Sequence, residues 1–236
     1  MKTTVTFTSG RETIVASRYA AGGQKPAVLV MHGAGQADRT RTDFLCSSLL
    51  ERGVPSLSMD FSGHGESTRN CEGSILKRIE EAQSAIHYLG VDEGISLIGF
   101  SMSGQVAISM LPNPAFSVEN VILFSPAIYC DDAIPMPFGP EFSACIRRPD
   151  SWREARCDRD LRDFNGNLLI VTPEHDPVVP SDVARTILDN AVNAKTARHV
   201  PIPGAPHVLG KWLSENLNVG NAIVDAVAGV IIGASR

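Results

Sequence analysis

The chain has 236 residues, of which 43% are hydrophobic and 20% are charged, and its net charge is −5. This balance is typical of a globular protein, here expected to form a single domain over residues 1–236, and the acidic charge without a long basic run argues against nucleic acid as a partner. Five cysteines without a C-x-x-C pair, no apolar leader and no stretch of membrane-spanning length predict a cytoplasmic protein with reduced thiols, no zinc site and no membrane span.

Near the N-terminus, apolar and polar residues alternate in TVTFT (4–8) and ETIVASRYA (12–20), which predicts a hairpin exposed on one face. From residue 27 onward, strand and helix patterns alternate. The predicted strands are PAVLVMHG (26–33), PSLSMDF (55–61), GISLIGF (94–100), ENVILFSPA (119–127), NLLIVTPEHD (167–176) and ARHVPIPG (197–204). The predicted helices are RTDFLCSSLLERG (41–53), SILKRIEEAQSAIHYLG (74–90), SMSGQVAISML (101–111), SDVARTILDNAV (181–192, with Ser181 as its N-cap) and the apolar C-terminal stretch 222–234. This order predicts an α/β fold with a mostly parallel sheet, helices on both faces and antiparallel strands at one edge.

One connection is too long for this rhythm, since roughly forty residues (126–167) separate two strands. Its first half is too rich in proline to be a helix, and its second half predicts a short polar helix. A long insertion above a sheet is typical of a lid, so apolar residues of the first half are expected to bind substrate: Tyr129, Met136, Phe138 and Phe142. Arg147 and Arg148 follow; they either recognise a substrate carboxylate or phosphate or belong to a solvated face, since acids surround them.

The segment IGFSMSG (98–104) ends a predicted strand and begins a helix. A sharp strand-to-helix turn exposes a serine hydroxyl at the carboxyl end of a sheet, where ligands of open parallel sheets bind. Positions two before and two after the serine must be small; Gly99 meets this and Ser103 adds only a hydroxymethyl group. If Ser103 were the nucleophile, Gln105 would fill the tight position, so Ser101 is the better candidate. An ordinary turn that happens to contain serines is the alternative.

A serine nucleophile needs a base, and the base needs an orienting acid. In this architecture they follow the serine in the order acid, then histidine, each after a different strand. Asp176 and His207 lie in loops after two later strands, at the edge of the sheet that carries Ser101. Glu174 is the nearest competitor for the acid. The other candidates have structural interpretations: His175 as a loop residue, His199 in a strand, His87 on a helix and Asp182 in the first turn of a helix.

Acyl transfer also needs hydrogen-bond donors for the oxyanion, usually backbone amides. The residue after the nucleophile, Met102, supplies one. The loop MHGAGQ (31–36) after an earlier strand supplies the second, at Ala34. The alternative is that Gly33 and Gly35 only permit a turn.

Together these segments resemble the alpha/beta-hydrolase superfamily, from LVMHGAG (29–35) to GAPH (204–207). MDFSGHGEST (59–68) is similar to a segment of its carboxylesterase, monoacylglycerol-lipase and cinnamoyl-esterase-like branches, where it is structural, so His64 and Glu66 receive no chemical role. The resemblance implies Ser101 as nucleophile, Asp176 as acid, His207 as base, and the amides of Ala34 and Met102 as oxyanion donors. Ser103 in place of glycine is the one departure from the pattern.

The sequence therefore predicts a serine hydrolase that needs no metal or organic cofactor and acts on a small-molecule acyl ester or a thioester. The fold does not fix the reaction. An acyltransferase or a thioesterase with the same three residues is the alternative, and a binding protein without catalysis is a second class. The acyl group, the leaving group and the oligomeric state stay open.

Overall fold

The computed structural model describes residues 1–91 and 94–234, which fold around one eight-stranded sheet of order β1-β2-β4-β3-β5-β6-β7-β8. The strands are β1 (Lys2–Ser9), β2 (Glu12–Tyr19), β3 (Val28–Met31), β4 (Ser56–Met59), β5 (Ile95–Phe100), β6 (Val118–Phe124), β7 (Asn167–Pro173) and β8 (Thr196–Ile202). β2 is antiparallel to both β1 and β4, and every other neighbouring pair is parallel. The predicted sheet and its N-terminal hairpin are confirmed.

The helices are α1 (Asp43–Glu51), α2 (Ile75–Leu89), α3 (Ser103–Met110), α4 (Pro140–Ile146), α5 (Cys157–Leu161), α6 (Asp182–Asn190), α7 (Leu209–Glu215) and α8 (Leu217–Ala234). α2 shows why the sequence predicted its helices well. The Ser74 hydroxyl accepts a hydrogen bond from the Lys77 amide at 3.0 Å, and Gly90 ends the helix in the left-handed conformation (φ 60°).

The central strands of the sheet are buried on both faces. Along β3, Leu29 and Met31 contact the apolar layer with α2, α3 and the insertion, whereas Val28 and Val30 contact the layer with α1, α7 and α8. Side chains alternate between the two faces of a strand, so a continuous apolar run is what such a strand requires. The prediction that β3 is buried on both faces is confirmed.

Two details at helix ends differ from the prediction. Ser181 occupies the N-cap position of α6, as expected, but it has helical dihedrals (φ −57°, ψ −30°) and its side chain makes no capping hydrogen bond. The C-terminal helix α8 is preceded by α7, which the sequence pattern missed because the residues that form it are mixed in polarity. In the described part of the chain no single helix could span a membrane; α7 and α8 together have the length and composition but are bent by 120°.

The insertion between β6 and β7 ends at Gly166, because Asn167 is the first residue of β7. It contains two short 3₁₀ helices, at Asp131–Ala133 and Ser151–Glu154, and the helices α4 and α5. The expectation that its proline-rich half has no helix is wrong at α4. Pro140 occupies the first turn of that helix, where a missing N–H costs nothing.

The D-x-x-G-x-G-x-S segment folds around the buried carboxylate of Asp60. This carboxylate pairs with the Arg39 guanidinium and accepts hydrogen bonds from the amides of Arg39 (2.7 Å) and Glu66 (2.9 Å). Gly65 has φ 51°, and a Cβ there would lie 2.0 Å from the Asp60 carboxylate, so only glycine fits. The segment therefore clamps the turn after β4 to the loop before α1.

We expect Asp60→Ala to lower the free energy of unfolding by about 3 kcal/mol, because it leaves the buried Arg39 guanidinium without this partner. The measurement is urea denaturation followed by circular dichroism. The matched control is Asp225→Ala, which removes the ion pair between Asp225 and Arg52. Because the Asp225 carboxylate is 67% exposed, this loss should lower the free energy of unfolding by less than about 1 kcal/mol. Equal losses in the two variants would contradict this account of the Asp60 cluster.

Candidate active site

Ser101 directly follows β5 and has φ 51°, a backbone conformation that residues other than glycine rarely adopt. Its amide donates to the Phe124 carbonyl at 2.8 Å, and its carbonyl accepts from the amides of Gly104 (2.8 Å) and Ala127 (3.0 Å). These bonds to α3 and to the end of β6 hold the strained conformation. At Gly99, a Cβ would lie 2.3 Å from the Ser103 carbonyl oxygen, so glycine is required two residues before Ser101, as expected.

Ser103 fits without disturbing the turn. Its side chain is fully buried, and its hydroxyl donates to the His32 carbonyl at 2.5 Å. The close approach falls one residue later, at Gly104, where a Cβ would lie 2.7 Å from the Pro126 side chain. The serine in place of the usual glycine therefore adds a hydrogen bond between the start of α3 and the end of β3.

The three side chains predicted as nucleophile, base and acid form one hydrogen-bonded chain. The Ser101 Oγ lies 3.0 Å from His207 Nε2, and His207 Nδ1 lies 2.8 Å from Asp176 Oδ2. Because a carboxylate only accepts, Nδ1 carries the proton and Nε2 is the acceptor for the Ser101 hydroxyl. This arrangement can move the serine proton to the histidine as the serine attacks.

The surrounding backbone fixes the acid and the histidine. Asp176 Oδ1 accepts from the amides of Val178 (2.8 Å) and Val179 (3.1 Å), and the carboxylate is only 5% exposed. Ser125, which sequence reasoning did not single out, has φ 46° and donates from its hydroxyl to the His207 carbonyl at 3.1 Å. A serine one residue beyond β6, at the edge of the sheet that carries Ser101, was the available signal.

The competing acids and histidines lie elsewhere. The Glu174 and His175 side chains are exposed, Asp182 pairs with Arg153, and His199 hydrogen-bonds Thr172. His87 is exposed on α2. Within the residues that the structure describes, none of them hydrogen-bonds Ser101 or His207, and Asp176 is the carboxylate bonded to the histidine.

The amides predicted as oxyanion donors have no acceptor in the described part of the chain. Ala34 lines a cavity together with Ser101, and Met102 is the residue after Ser101. Gly33, the residue before Ala34, lies so close to Ser101 that a Cβ at Gly33 would be 3.2 Å from the Ser101 Cβ. Two unpaired amides beside a serine can receive a developing negative charge.

A buried arginine fixes the loop that carries Ala34. Arg78 donates from Nη1 to the Gly33 carbonyl (3.2 Å) and from Nη2 to His64 Nε2 (2.7 Å), and His64 Nδ1 donates to the Ala37 carbonyl (2.9 Å). An arginine only donates, so His64 must be the neutral Nδ1–H tautomer. Burial lowers the pKa of Arg78 to about 10. Sequence reasoning missed this pair, although a charged residue on the buried face of α2 was a usable signal.

These contacts predict how stability depends on pH. Burial lowers the pKa of His64, with the Arg78 charge as a further cause, and holds the pKa of His32 well below 6.5. The unfolded chain therefore takes up protons first, so the unfolding free energy should fall as the pH drops below about 6.5, by up to about 1.4 kcal/mol per pH unit for each such histidine. Urea denaturation between pH 7.5 and 5.5 measures the slope. His64→Gln should flatten it, and His87→Gln, on the exposed face of α2, should not; an unchanged slope in His64→Gln would contradict the assignment.

Two cavities meet at Ser101, and Ser101 and Val178 line both. The first, of about 340 Å³, contains Ala34, Arg41, Phe124 and His207. The second, of about 300 Å³, is bounded largely by the insertion, through Ile128, Tyr129, Ile146, Arg147 and Trp152. One group of a substrate can therefore lie in the first cavity and another group in the second, with the serine between them.

The prediction of four substrate-contacting residues in the insertion needs correction. Only Tyr129 of the four lines a cavity that contains Ser101. Phe142 is buried between the rings of Tyr129 and Phe138, with centroid separations of 6.0 and 5.0 Å, and the Phe138 amide donates to Gly73 at 2.7 Å. Met136 packs against the same apolar layer. These three apolar side chains pack against the domain beneath, and Phe138 also contacts Arg78 of α2, whose guanidinium lies 5.3 Å from the ring centroid.

Comparisons with known proteins show which family and which folds the chain resembles. Residues 22–148 match the model of a family described as serine aminopeptidase, S33. The structure is similar to Est1E of Butyrivibrio proteoclasticus with bound ferulic acid (TM-score 0.73, 17% identity, covering 97% of this chain and 99% of that chain). It is also similar to a protein of Thermoplasma acidophilum described as a predicted CIB-like hydrolase (0.71, 16%, 97% and 99%) and to the thioesterase domain from the curacin biosynthetic pathway (0.69, 16%, 98% and 99%). None of the curated proteins matches the chain in sequence.

Proposed function

We propose that the chain, which belongs to the serine aminopeptidase S33 family of the alpha/beta-hydrolase superfamily, hydrolyses carboxylic esters through an acyl-enzyme on Ser101. The observation that carries the proposal is the hydrogen-bonded chain from Ser101 through His207 to the buried carboxylate of Asp176. A serine hydroxyl becomes a useful nucleophile at neutral pH when an oriented histidine accepts its proton.

In the proposed reaction, Ser101 Oγ attacks the ester carbonyl carbon and its proton passes to His207 Nε2. The oxyanion that forms is stabilised by the amides of Ala34 and Met102. His207 then returns the proton to the departing alcohol, which leaves an acyl group on Ser101. A water molecule, deprotonated by the same histidine, attacks this acyl group, and the histidine then gives that proton to the departing Ser101 Oγ, which releases the acid and restores the hydroxyl.

The charges that line the two cavities favour acyl esters over peptides with a free N-terminus. An aminopeptidase substrate carries an ammonium group, which needs an acidic partner. Among the described residues, no carboxylate lines either cavity, whereas Arg41 lines the first and Arg147 the second. These guanidinium groups repel an ammonium and attract an acid.

A thioester is the second candidate substrate. The similarity to a thioesterase domain, which extends over 98% of this chain, favours it, and the same three residues and two amides would serve. Transfer of the acyl group to an alcohol or amine in place of water needs no additional catalytic residue. Products formed in the presence of added alcohol separate transfer from hydrolysis.

We also propose that the insertion, residues 126–166, is a lid over the second cavity. Ile128, Tyr129, Ile146 and Trp152 form its apolar wall. Each methylene buried there would contribute about 0.8 kcal/mol, nearly a fourfold gain in kcat/KM per carbon until the cavity is filled. A modest cavity of about 300 Å³ suits short-to-medium or aromatic acyl groups.

A substrate profile tests the proposal. Acetyl, butyryl, octanoyl and cinnamoyl esters, a butyryl thioester and an aminoacyl anilide are assayed with and without a serine-directed fluorophosphonate. We expect turnover of the esters, loss of that turnover on labelling, and a weaker reaction or none with the anilide. Cleavage of the anilide without cleavage of any ester would overturn the proposal in favour of a peptidase.

A further inference from the structure

The insertion carries six arginines, and one of them differs from the rest. Arg147 has no carboxylate partner in the described part of the chain, whereas each of the others pairs with at least one carboxylate. The pairs are Arg148 with Glu154 (3.1 Å), Arg153 with Asp150 and Asp182 (3.2 and 3.1 Å), Arg156 with Asp131 (3.2 Å), Arg159 with Asp160 and Asp131 (2.7 and 3.5 Å), and Arg162 with Asp158 (3.8 Å). The solvated face expected from the sequence therefore accounts for five arginines but not for Arg147.

Arg147 is also the one of the six that lines the cavity containing Ser101. Arg147 is exposed, and every other residue bordering this cavity is uncharged, Ile146 and Trp152 among them. An arginine that borders an otherwise uncharged cavity and has no protein carboxylate to occupy it is free to turn its planar set of donors toward a group that enters.

Tyr129 also borders this cavity and carries a further donor. The Tyr129 hydroxyl has no hydrogen-bond partner among the described residues, although its backbone amide is fixed by Gln105 at 2.9 Å. Burial raises the pKa of Tyr129 to about 12, so the hydroxyl stays protonated and able to donate at neutral pH. Two unused donors, one of them charged, on residues that border an otherwise uncharged cavity fit an acceptor that carries negative charge.

We propose that Arg147, assisted by the Tyr129 hydroxyl, binds a carboxylate of the substrate, so that the preferred substrates are esters that carry a second, free carboxylate. This carboxylate site specifies the substrates of the ester hydrolysis proposed above and rests on that proposal. A carboxylate at the far end of the acyl group, as in a half-ester of a dicarboxylic acid, and one on the alcohol portion satisfy the same chemistry. A charge-assisted hydrogen bond of this kind corresponds to about a tenfold or greater preference over a neutral analogue.

Kinetics on two matched pairs of esters test the proposal. The acyl pair is the mono-p-nitrophenyl ester of adipic acid against that of adipamic acid, its neutral amide analogue. The alcohol pair is the butyryl ester of 4-hydroxybenzoate against that of 4-hydroxybenzamide. We expect wild type to prefer the carboxylate in one pair by about tenfold or more in kcat/KM, and Arg147→Gln to reduce that preference to about twofold or less.

Two further variants make the result specific. Arg148→Gln changes the neighbouring exposed arginine, which pairs with Glu154 and does not line the cavity, and should keep the wild-type preference. Arg41→Gln removes the arginine of the first cavity. A preference lost in Arg41→Gln and kept in Arg147→Gln, or no preference in wild type, overturns the proposal.

A binding measurement separates this proposal from the proposed function. Calorimetry measures the binding of adipic acid monoamide, which carries a carboxylate, and of adipamide, its neutral analogue. Both ligands are titrated into Ser101→Ala protein and into the double variant that also carries Arg147→Gln. Tighter binding of the acid that is lost with Arg147→Gln supports the carboxylate site even if no ester is cleaved. Ester cleavage without any dependence on Arg147 in kinetics or binding leaves the hydrolase standing and rejects the site.

Discussion

Ser101→Ala is expected to lower kcat for every ester substrate by about six orders of magnitude, the scale of loss when a serine–histidine–carboxylate unit loses its nucleophile. The alanine variant lacks the oxygen that would bond to the acyl carbon, so only binding and the amides of Ala34 and Met102 would contribute to the remaining rate. The measurement is the initial rate on the best ester of the profile at saturating concentration, with highly purified protein.

Covalent labelling provides the control for that result. A fluorophosphonate should modify wild type at Ser101 and leave Ser103 free, because the Ser103 side chain is fully buried and its hydroxyl donates to the His32 carbonyl. The alanine variant should keep the wild-type circular dichroism, since the hydrogen bonds that hold residue 101 come from its backbone. Labelling that persists in Ser101→Ala protein would show that the nucleophile is another residue.

Asp176→Asn should lower kcat by about four orders of magnitude through the tautomer of the histidine. Asp176 Oδ1 accepts from the amides of Val178 and Val179, so the asparagine would keep its carbonyl oxygen on that side and turn its NH₂ toward His207 Nδ1. Nδ1 would then have to accept, and Nε2 would carry the proton. A protonated Nε2 cannot take the proton of Ser101.

Asp182→Asn is the matched control for this substitution, because the Asp182 carboxylate lies nearby in sequence but is half exposed and pairs with Arg153. It should keep activity within about twofold, since an exposed ion pair contributes little. Glu174→Gln tests the other candidate acid. If Glu174→Gln lost activity and Asp176→Asn did not, the carboxylate would be misassigned.

The sequence predicted the position of Ser101, Asp176 and His207 because topology constrains them. Parallel strands end at one edge of the sheet, so residues that follow different strands by a few positions must lie close together. The hydrophobic pattern of β5, β7 and β8 located those strand ends without any knowledge of the insertion. Whether the three side chains perform the proposed reaction stays a prediction that the substitutions above test.

The contacts of the insertion could not be predicted in the same way. No periodicity relates Phe138 to Gly73 or to the α2 helix, and apolar residues in a loop are compatible with facing substrate or the core. The choice is decided by which surface lies nearby, and that depends on the whole fold. For the same reason the sequence did not reveal that Arg147 lacks the carboxylate partner that each neighbouring arginine has.

The position of Ser101 at the junction of two cavities has a consequence for the order of events in the proposed reaction. If the acyl group is retained on the serine in one cavity, the alcohol can diffuse away from the other without disturbing it. The vacated space is then the entrance for the second nucleophile, and water competes there with any alcohol that returns. The ratio of hydrolysis to transfer is therefore set by how strongly that emptied cavity holds an alcohol, while the rate of acylation is set by the cavity that keeps the acyl group.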